Sequence, residues 1–101
     1  MQKDRSHDDA MAELFAQDPA FATAYLNDVL TEGEPADLMV ALRQLAQARG
    51  GVPALADKAH LNPTQLYRTL SPTGNPELRS LTAILAALGL RLAVQPVAPA
   101  A

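Results

Sequence analysis

The chain has 101 residues, of which 49% are hydrophobic and only 4% aromatic, and its formal net charge is −3. This length allows one domain with a single modest core. The absence of cysteine excludes disulfides and thiolate chemistry and fits a reducing compartment. The charged N-terminus argues against a signal peptide, and no apolar run approaches the roughly 18 to 20 residues that cross a bilayer. We therefore expect a cytoplasmic protein without a membrane segment.

The charges are unevenly distributed along the chain. Residues 1–50 contain four basic and nine acidic residues, a net charge of −5, whereas residues 51–101 contain four basic and two acidic residues, a net charge of +2. The acidic half would repel DNA or face a basic protein partner. The weakly basic half is the candidate DNA face, and a dimer would roughly double its phosphate contacts.

The first half of the chain predicts three helices. Residues 8–17 carry a short apolar stripe behind a polar end that we expect to fray. A second helix begins at Asp18-Pro19, a good cap followed by a favoured first residue, and runs to about Thr31. We expect it to bury Phe21, Tyr25, Leu26, Val29 and Leu30. A third helix runs from Pro35 to about Arg49, with Arg43 and Arg49 on its surface and an apolar stripe at Leu38, Met39, Leu42, Leu45 and Ala46.

The second half predicts two short helices, a loop and a longer helix. Gly50-Gly51 separates the third helix from Val52–Ala59, and a tight turn then leads to Pro63–Leu70. Residues 71–76 are dense in turn formers and form a loop. Leu78–Leu88 is again helical, and residues 96–101 are predicted to be a disordered tail.

The segment after this last helix is compatible with a short strand. It alternates apolar and polar residues imperfectly, and its strand residues are Leu90, Arg91, Leu92, Ala93 and Val94. A lone strand cannot satisfy its backbone, and the chain has no second candidate strand. We therefore expect pairing with the same segment of a second subunit in a two-fold homodimer, with a disordered tail as the alternative.

Residues 52–70 have the layout of a helix-turn-helix, in which the second helix enters the major groove of DNA. Such a motif needs a small residue where the two helices cross, and Ala56 fits this position. Its inner faces need apolar anchors, which are Leu55, Ala59, Leu61 and Leu66. The turn usually contains a left-handed glycine, but here it holds His60, a residue type that tolerates positive φ.

The second helix also carries candidate DNA-binding residues. Asn62 is a strong cap and Pro63 a favoured first residue. Four polar or aromatic side chains could reach bases or phosphates, and they are Thr64, Gln65, Tyr67 and Arg68. Arginine can bind guanine bidentately, and backbone amides near Val52 and Pro63 could hold phosphates. For Tyr67, packing and phosphate contact are equally open.

No catalytic, metal or cofactor motif accompanies the helix-turn-helix. His7 and His60 lie far apart without cysteine or a carboxylate cluster, so a metal site is not expected. Asp8-Asp9 fits a solvated helix start better than an acid/base pair. Gly50-Gly51 is a turn and not a phosphate-binding loop. We expect a protein that is not an enzyme and needs no cofactor.

From about Tyr25 onward the chain resembles the probable addiction module antidote proteins, HigA-like antitoxins of the lambda-repressor-like, or Xre-like, helix-turn-helix superfamily. The resemblance lies in YLNDVL, in EPADLMVALRQLAQARGG and in ALADKAHLNPTQLYRTLSPTGNPELRSLTAILAALGLRLAVQP. The segments ARGG and LYRTLSPTGNPELRSLTAILAALGL are its most specific parts. His60 and Thr69 depart from the superfamily pattern, which usually has glycine and an apolar residue there.

The resemblance implies an all-α fold of five or six short helices with a helix-turn-helix and one C-terminal strand paired across a dimer. From the predicted elements we divide the chain into an N-terminal extension (1–17), the DNA-binding domain (18–95) and a tail (96–101). The resemblance further implies binding to a RelE/HigB-like toxin and repression of the protein's own operon through operator DNA. A stand-alone repressor, or an interaction module that has lost DNA binding, remains the alternative.

Overall fold

The computed structural model describes residues 6–98, which form six α-helices and no strand. The helices are α1 (His7–Gln17), α2 (Pro19–Glu32), α3 (Pro35–Ala48), α4 (Val52–Ala59), α5 (Pro63–Thr69) and α6 (Leu78–Ala87). The predicted all-α class and all six predicted helices are confirmed, with boundaries that differ by about one residue. None of the helices within residues 6–98 is long and apolar enough to cross a membrane. The expectations for residues 1–5 and 99–101 lie outside the described residues.

Local capping explains where the first three helices begin. The Ser6 hydroxyl accepts a hydrogen bond from the Asp9 amide at 3.0 Å, and the Asp18 carboxylate accepts one from the Phe21 amide at 3.1 Å. The Asp37 carboxylate accepts the Glu34 amide at 2.9 Å and thereby closes the first turn of α3. These bonds satisfy amides that have no partner within a helix, so each start is encoded within four residues.

The helices share one core. α1 lies mainly against α3, and α2 packs against both, while α4 packs against α5 and α6 and also touches α3. The largest fully buried apolar side chains come from the first three helices and from the last three helices with their connections. They are Phe15, Leu42, Leu45, Leu66, Leu70 and Ile84. The α4–α5 pair is therefore fixed to a scaffold formed by the other helices.

The structure corrects the predicted buried face of α2. Phe21 is 37% exposed and Leu30 is 56% exposed, whereas Ala22 and Leu26 are buried. The helix packs against α1 and α3, and these neighbours cover a stripe centred on Ala22 and Leu26. The apolar pattern predicted the helix correctly but extended its buried face too far around.

Arg43 was predicted to lie on the surface, but only 30% of its side chain is exposed. Its guanidinium donates to the Asp8 carboxylate at 2.8 Å and to the Leu70 carbonyl oxygen at 3.3 Å. The buried Gln44 amide donates to the other Asp8 oxygen at 2.9 Å, and the Gln47 amide donates to Asp9. The two aspartates therefore fasten the start of α1 to α3, where a solvated helix start was expected.

The predicted C-terminal strand does not form. Leu90 donates its amide to the Leu85 carbonyl oxygen at 2.8 Å and so completes the end of α6. From Arg91 to Ala98 the chain is irregular and exposed. A strand needs a neighbouring strand for its backbone groups, and the described part of this chain offers none.

Candidate nucleic-acid interface

The turn between α4 and α5 has the left-handed geometry that the sequence predicted. His60 adopts φ 59° and ψ 43°, the one described non-glycine residue with positive φ. The Leu61 amide donates to the Ala56 carbonyl oxygen at 2.8 Å, and the His60 amide donates to that of Asp57 at 3.3 Å. These bonds satisfy the last carbonyls of α4 and turn the chain sharply into α5.

Small and apolar side chains hold α4 against α5. Ala56 is completely buried, and Leu55 and Leu66 are almost completely buried. Leu61 is partly buried and packs against the same core. Because alanine leaves little bulk at the crossing, the two helix axes approach closely and the anchors fix their relative direction.

The first turn of α5 is fixed locally and then exposes its side chains. The side-chain oxygen Oδ1 of Asn62 accepts a hydrogen bond from the Gln65 amide at 3.0 Å, and Pro63 takes the first helical position. The remaining candidate DNA-binding side chains of this helix are all exposed, and they are Thr64, Gln65, Tyr67 and Arg68. Tyr67 is 52% exposed, so its ring is available to a ligand. A rigid helix with an exposed polar face can read the edges of base pairs.

Val52 differs from the other predicted DNA-binding residues because its side chain is buried. It is the first residue of α4, and the preceding Gly51, with φ 99°, has no side chain to cap the helix. Any contact from Val52 to DNA must therefore come from its backbone amide. Such amides at helix starts are good partners for phosphate oxygens.

A polar cleft of about 520 Å³ borders α5, and the sequence did not predict it. Gln65 and Arg68 form one wall, and the loop after α5 and the start of α6 form the other. The Ser71 hydroxyl donates to the Arg68 carbonyl oxygen at 2.7 Å, which folds this loop back against the helix. Gly74 makes the close approach possible, because a Cβ atom there would collide with the backbone of Thr69. The run of turn formers at 71–76 indicated a loop but not its position beside α5.

The charge near this face is only weakly positive. Residues 51–98 contain four basic side chains, Lys58, Arg68, Arg79 and Arg91, against the two carboxylates of Asp57 and Glu77. Within residues 6–98 there is no group of three or more histidine, aspartate or glutamate side chains that could hold a metal ion.

The family model described as "Probable addiction module antidote protein" matches residues 7–96. An uncharacterised protein of Haemophilus influenzae is 35% identical over 71 residues, which cover 70% of this chain and 72% of that protein. No solved structure matches the chain. The chain therefore belongs to the family of probable addiction module antidote proteins, a description that implies a toxin partner and suggests a regulatory rather than an enzymatic role.

Proposed function

We propose that the protein is the DNA-binding antitoxin of a type II toxin–antitoxin module, and that it represses its own operon in the cytoplasm. The observation that carries the DNA-binding part is α5 itself. This helix has a capped start and a buried inner face. Its four candidate base-contacting side chains are exposed, and they are Thr64, Gln65, Tyr67 and Arg68. The family description supports the antitoxin part.

In this proposal α5 enters the major groove, where some of its side chains contact bases and others contact bases or phosphates. Arg68 binds guanine through two hydrogen bonds, and Gln65 can bind adenine in the same way. Thr64 and Tyr67 contact bases or phosphates, while the backbone at Val52 and around Asn62-Pro63 holds phosphates. The contacts that read sequence and those that fix register thus come from adjoining parts of α4 and α5.

A homodimer fits the low positive charge of one subunit. Two copies double the number of phosphate contacts, and a two-fold axis would place two α5 helices about 34 Å apart on a pseudo-palindromic operator. The oligomeric state follows directly from sedimentation of the free protein and of its DNA complex.

The proposed toxin is a RelE/HigB-like protein with a basic surface. The acidic half of the antitoxin, with its net charge of −5 over residues 1–50, complements such a partner. It lies on helices other than α5, so toxin and DNA would occupy different surfaces. A neighbouring open reading frame that encodes a lysine- and arginine-rich protein would favour this proposal over a stand-alone repressor.

Fluorescence anisotropy tests the DNA-binding part directly. The purified full chain is titrated onto the DNA immediately upstream of its gene and onto a scrambled duplex, each at two salt concentrations. Specific binding that weakens with salt supports an autoregulator. Equal weak binding to both duplexes would instead favour the third possibility, an interaction module that has lost DNA binding.

Arg68→Ala distinguishes a helix α5 that recognises bases from one that serves only the fold. We expect it to weaken operator binding by roughly 10- to 100-fold, since a bidentate base contact contributes about 1–3 kcal/mol of discrimination. Arg91→Ala is the matched control, because it removes the same charge from an exposed residue outside α5. Equal losses in the two variants would indicate that only net charge matters and would contradict base reading by Arg68.

A further inference from the structure

One face of α2 carries aromatic residues at one end and carboxylates at the other. Phe21, Tyr25, Asp28 and Glu32 follow each other at spacings of four, three and four residues, which places them in one row along a helix. We call these four residues the α2 stripe. Phe21, Asp28 and Glu32 are exposed and Tyr25 is partly exposed, so the row is open to solvent along most of its length.

The aromatic end of the α2 stripe is held rigidly. The rings of Phe21 and Tyr25 lie 6.0 Å apart, and their centroids lie 5.9 and 5.5 Å from that of the completely buried Phe15. Phe21 nevertheless keeps 37% of its surface exposed. A large apolar ring that is fixed by packing and still exposed can bind a partner at little cost in side-chain entropy.

The acidic end of the α2 stripe lacks compensation within the described chain. Asp28 and Glu32 occupy the last turns of α2, where the helix dipole is negative, and the last turn has no basic residue. No lysine or arginine among residues 6–98 forms an ion pair with either carboxylate. Negative charge at a helix C-terminus is unfavourable, so a bound cation would relieve an unfavourable arrangement.

The opposite end of the stripe is also negative. The Asp18 carboxylate lies beside Phe21, since it accepts the Phe21 amide at 3.1 Å. Along the helix, the aromatic pair Phe21 and Tyr25 is thus preceded by one carboxylate and followed by two. This pattern suits arginine or lysine side chains, which lay their methylene groups and charge against an aromatic ring and pair their ends with carboxylates. The α2 stripe is not suited to binding DNA, because its carboxylates repel phosphate groups.

We propose that the α2 stripe is the surface on which the antitoxin binds its toxin, through a segment of the toxin that is rich in arginine or lysine. This inference rests on the proposed function, because it assigns a place to the toxin partner. Phe21 is the apolar anchor, and Asp28 and Glu32 pair with the cationic side chains around it. The stripe lies outside α4 and α5, so DNA and toxin can be bound by one subunit at the same time.

Isothermal titration calorimetry tests this assignment with the full chain and the purified basic protein encoded beside it. Phe21→Ala should weaken binding at least ~30-fold, as expected for the loss of a central aromatic anchor. The double variant Asp28→Asn/Glu32→Gln should weaken it roughly tenfold at low salt and less at high salt, because charge pairs at a rim are screened. The second variant changes exposed carboxylates and leaves the core intact.

Matched controls separate the stripe from general effects. Leu30→Ala removes an apolar side chain that is even more exposed than Phe21 and lies on another face of α2. Asp57→Asn/Glu77→Gln removes the same charge from the half that contains α5. Both controls should bind the toxin like the wild type. Operator binding by the α2 variants should also be unchanged, which shows that they are folded.

The outcomes distinguish this inference from the proposed function. If the wild type binds the toxin and the stripe variants bind it equally well, the α2 stripe is not the interface, although the antitoxin function stands. If the controls lose as much affinity as the stripe variants, the effect is general and the assignment is again overturned. If the wild type does not bind the neighbouring protein at all, both the partner and the surface are wrong.

Discussion

Gly74 shows how one absent side chain shapes the loop after α5. A Cβ atom at this position would collide with the backbone of Thr69, at the end of the helix that carries Arg68. The loop can therefore lie against α5 only because residue 74 is glycine. The turn-forming character of the segment was evident in the sequence, but this contact was not, since it depends on where the loop packs.

Gly74→Ala should push the loop away from α5. We expect the free energy of unfolding to fall by about 1–3 kcal/mol, as for other overpacked sites, and operator binding to weaken. Urea denaturation and anisotropy measure the two effects. Gly89→Ala is the control for backbone strain without a collision. Gly89 has φ 79°, and a Cβ atom there would have nothing within 4 Å. Unchanged stability of Gly74→Ala would contradict the packed loop.

Asp8 makes the stability of the fold sensitive to acid. Its pKa is lowered from the ordinary value of 3.8 by the hydrogen bond from Gln44 and by Arg43, although burial acts in the opposite direction. The ionised carboxylate therefore stabilises the folded state above pH 3.8, and this contribution is lost as the pH falls through the lowered pKa.

Asp8→Asn should lower the free energy of unfolding at pH 7 by about 1 kcal/mol, since it weakens hydrogen bonds to a charged group that is still partly exposed. The difference from the wild type should shrink as the pH falls below the lowered pKa, where the wild-type carboxyl is also neutral. Denaturant titrations across this pH range provide the measurement. Asp57→Asn, on an exposed part of α4, should show no such difference. A constant gap at all pH values would exclude Asp8 as the titrating group.

At the level of elements, the α4–α5 turn contains a strained residue, His60, that a neighbouring hydrogen bond holds in place. His60 adopts a conformation that costs a side-chain-bearing residue about 1 kcal/mol or more, and the hydrogen bond from Leu61 to Ala56 holds it there. Glycine would avoid the strain but would lose more entropy on folding. We expect the relief of strain to outweigh the additional loss of entropy.

We expect His60→Gly to raise the free energy of unfolding by up to about 1 kcal/mol while operator binding is retained. Thermal or urea unfolding measures the gain. His60→Val should have the opposite effect, because a β-branched residue is poorly tolerated at positive φ. A destabilised glycine variant would mean that the His60 side chain itself contributes contacts that outweigh the strain.

The elements also show which information the sequence contained. The starts of α2 and α5 were predicted within about a residue, because Asp18 and Asn62 accept hydrogen bonds from amides three residues away. The exposed sides of Phe21 and Leu30 were not predicted, since periodicity identifies an apolar face but not how much of it a neighbour covers. The strand at 90–94 was wrong for a related reason, as alternation alone does not supply a partner. The exposure of Thr64, Gln65, Tyr67 and Arg68 on α5 agrees with the prediction, because the cap, the turn and the apolar anchors that orient this helix are all local.

At the level of the whole molecule, Arg43 joins the acidic and basic halves. Its guanidinium contacts Asp8 at the start of α1 and the carbonyl oxygen of Leu70 at the end of α5. One side chain therefore links the first described helix to the candidate reading helix. The sequence placed Arg43 on the surface because such a link depends on residues 27 and 35 positions away.

Arg43→Met should loosen both ends of this link while it keeps the apolar stem of the side chain. We expect a loss of about 1–3 kcal/mol in the free energy of unfolding, because a partly buried carboxylate and a carbonyl lose a charged donor. Hydrogen exchange should increase at the start of α1 and at the end of α5 together. Arg91→Met is the control for lost charge at an exposed site. Faster exchange in α1 alone would show that the contact to Leu70 contributes nothing.

The contacts of Arg43 also constrain how this protein can diverge. Residues 8 and 43 and the end of α5 form one physical unit, so a change at one position alters the cost of changes at the others. Relatives that replace the aspartate at position 8 should therefore also replace the arginine at position 43. The proposed DNA-binding helix α5 and the helix α1 at the other end of the chain would then share part of their mutational history.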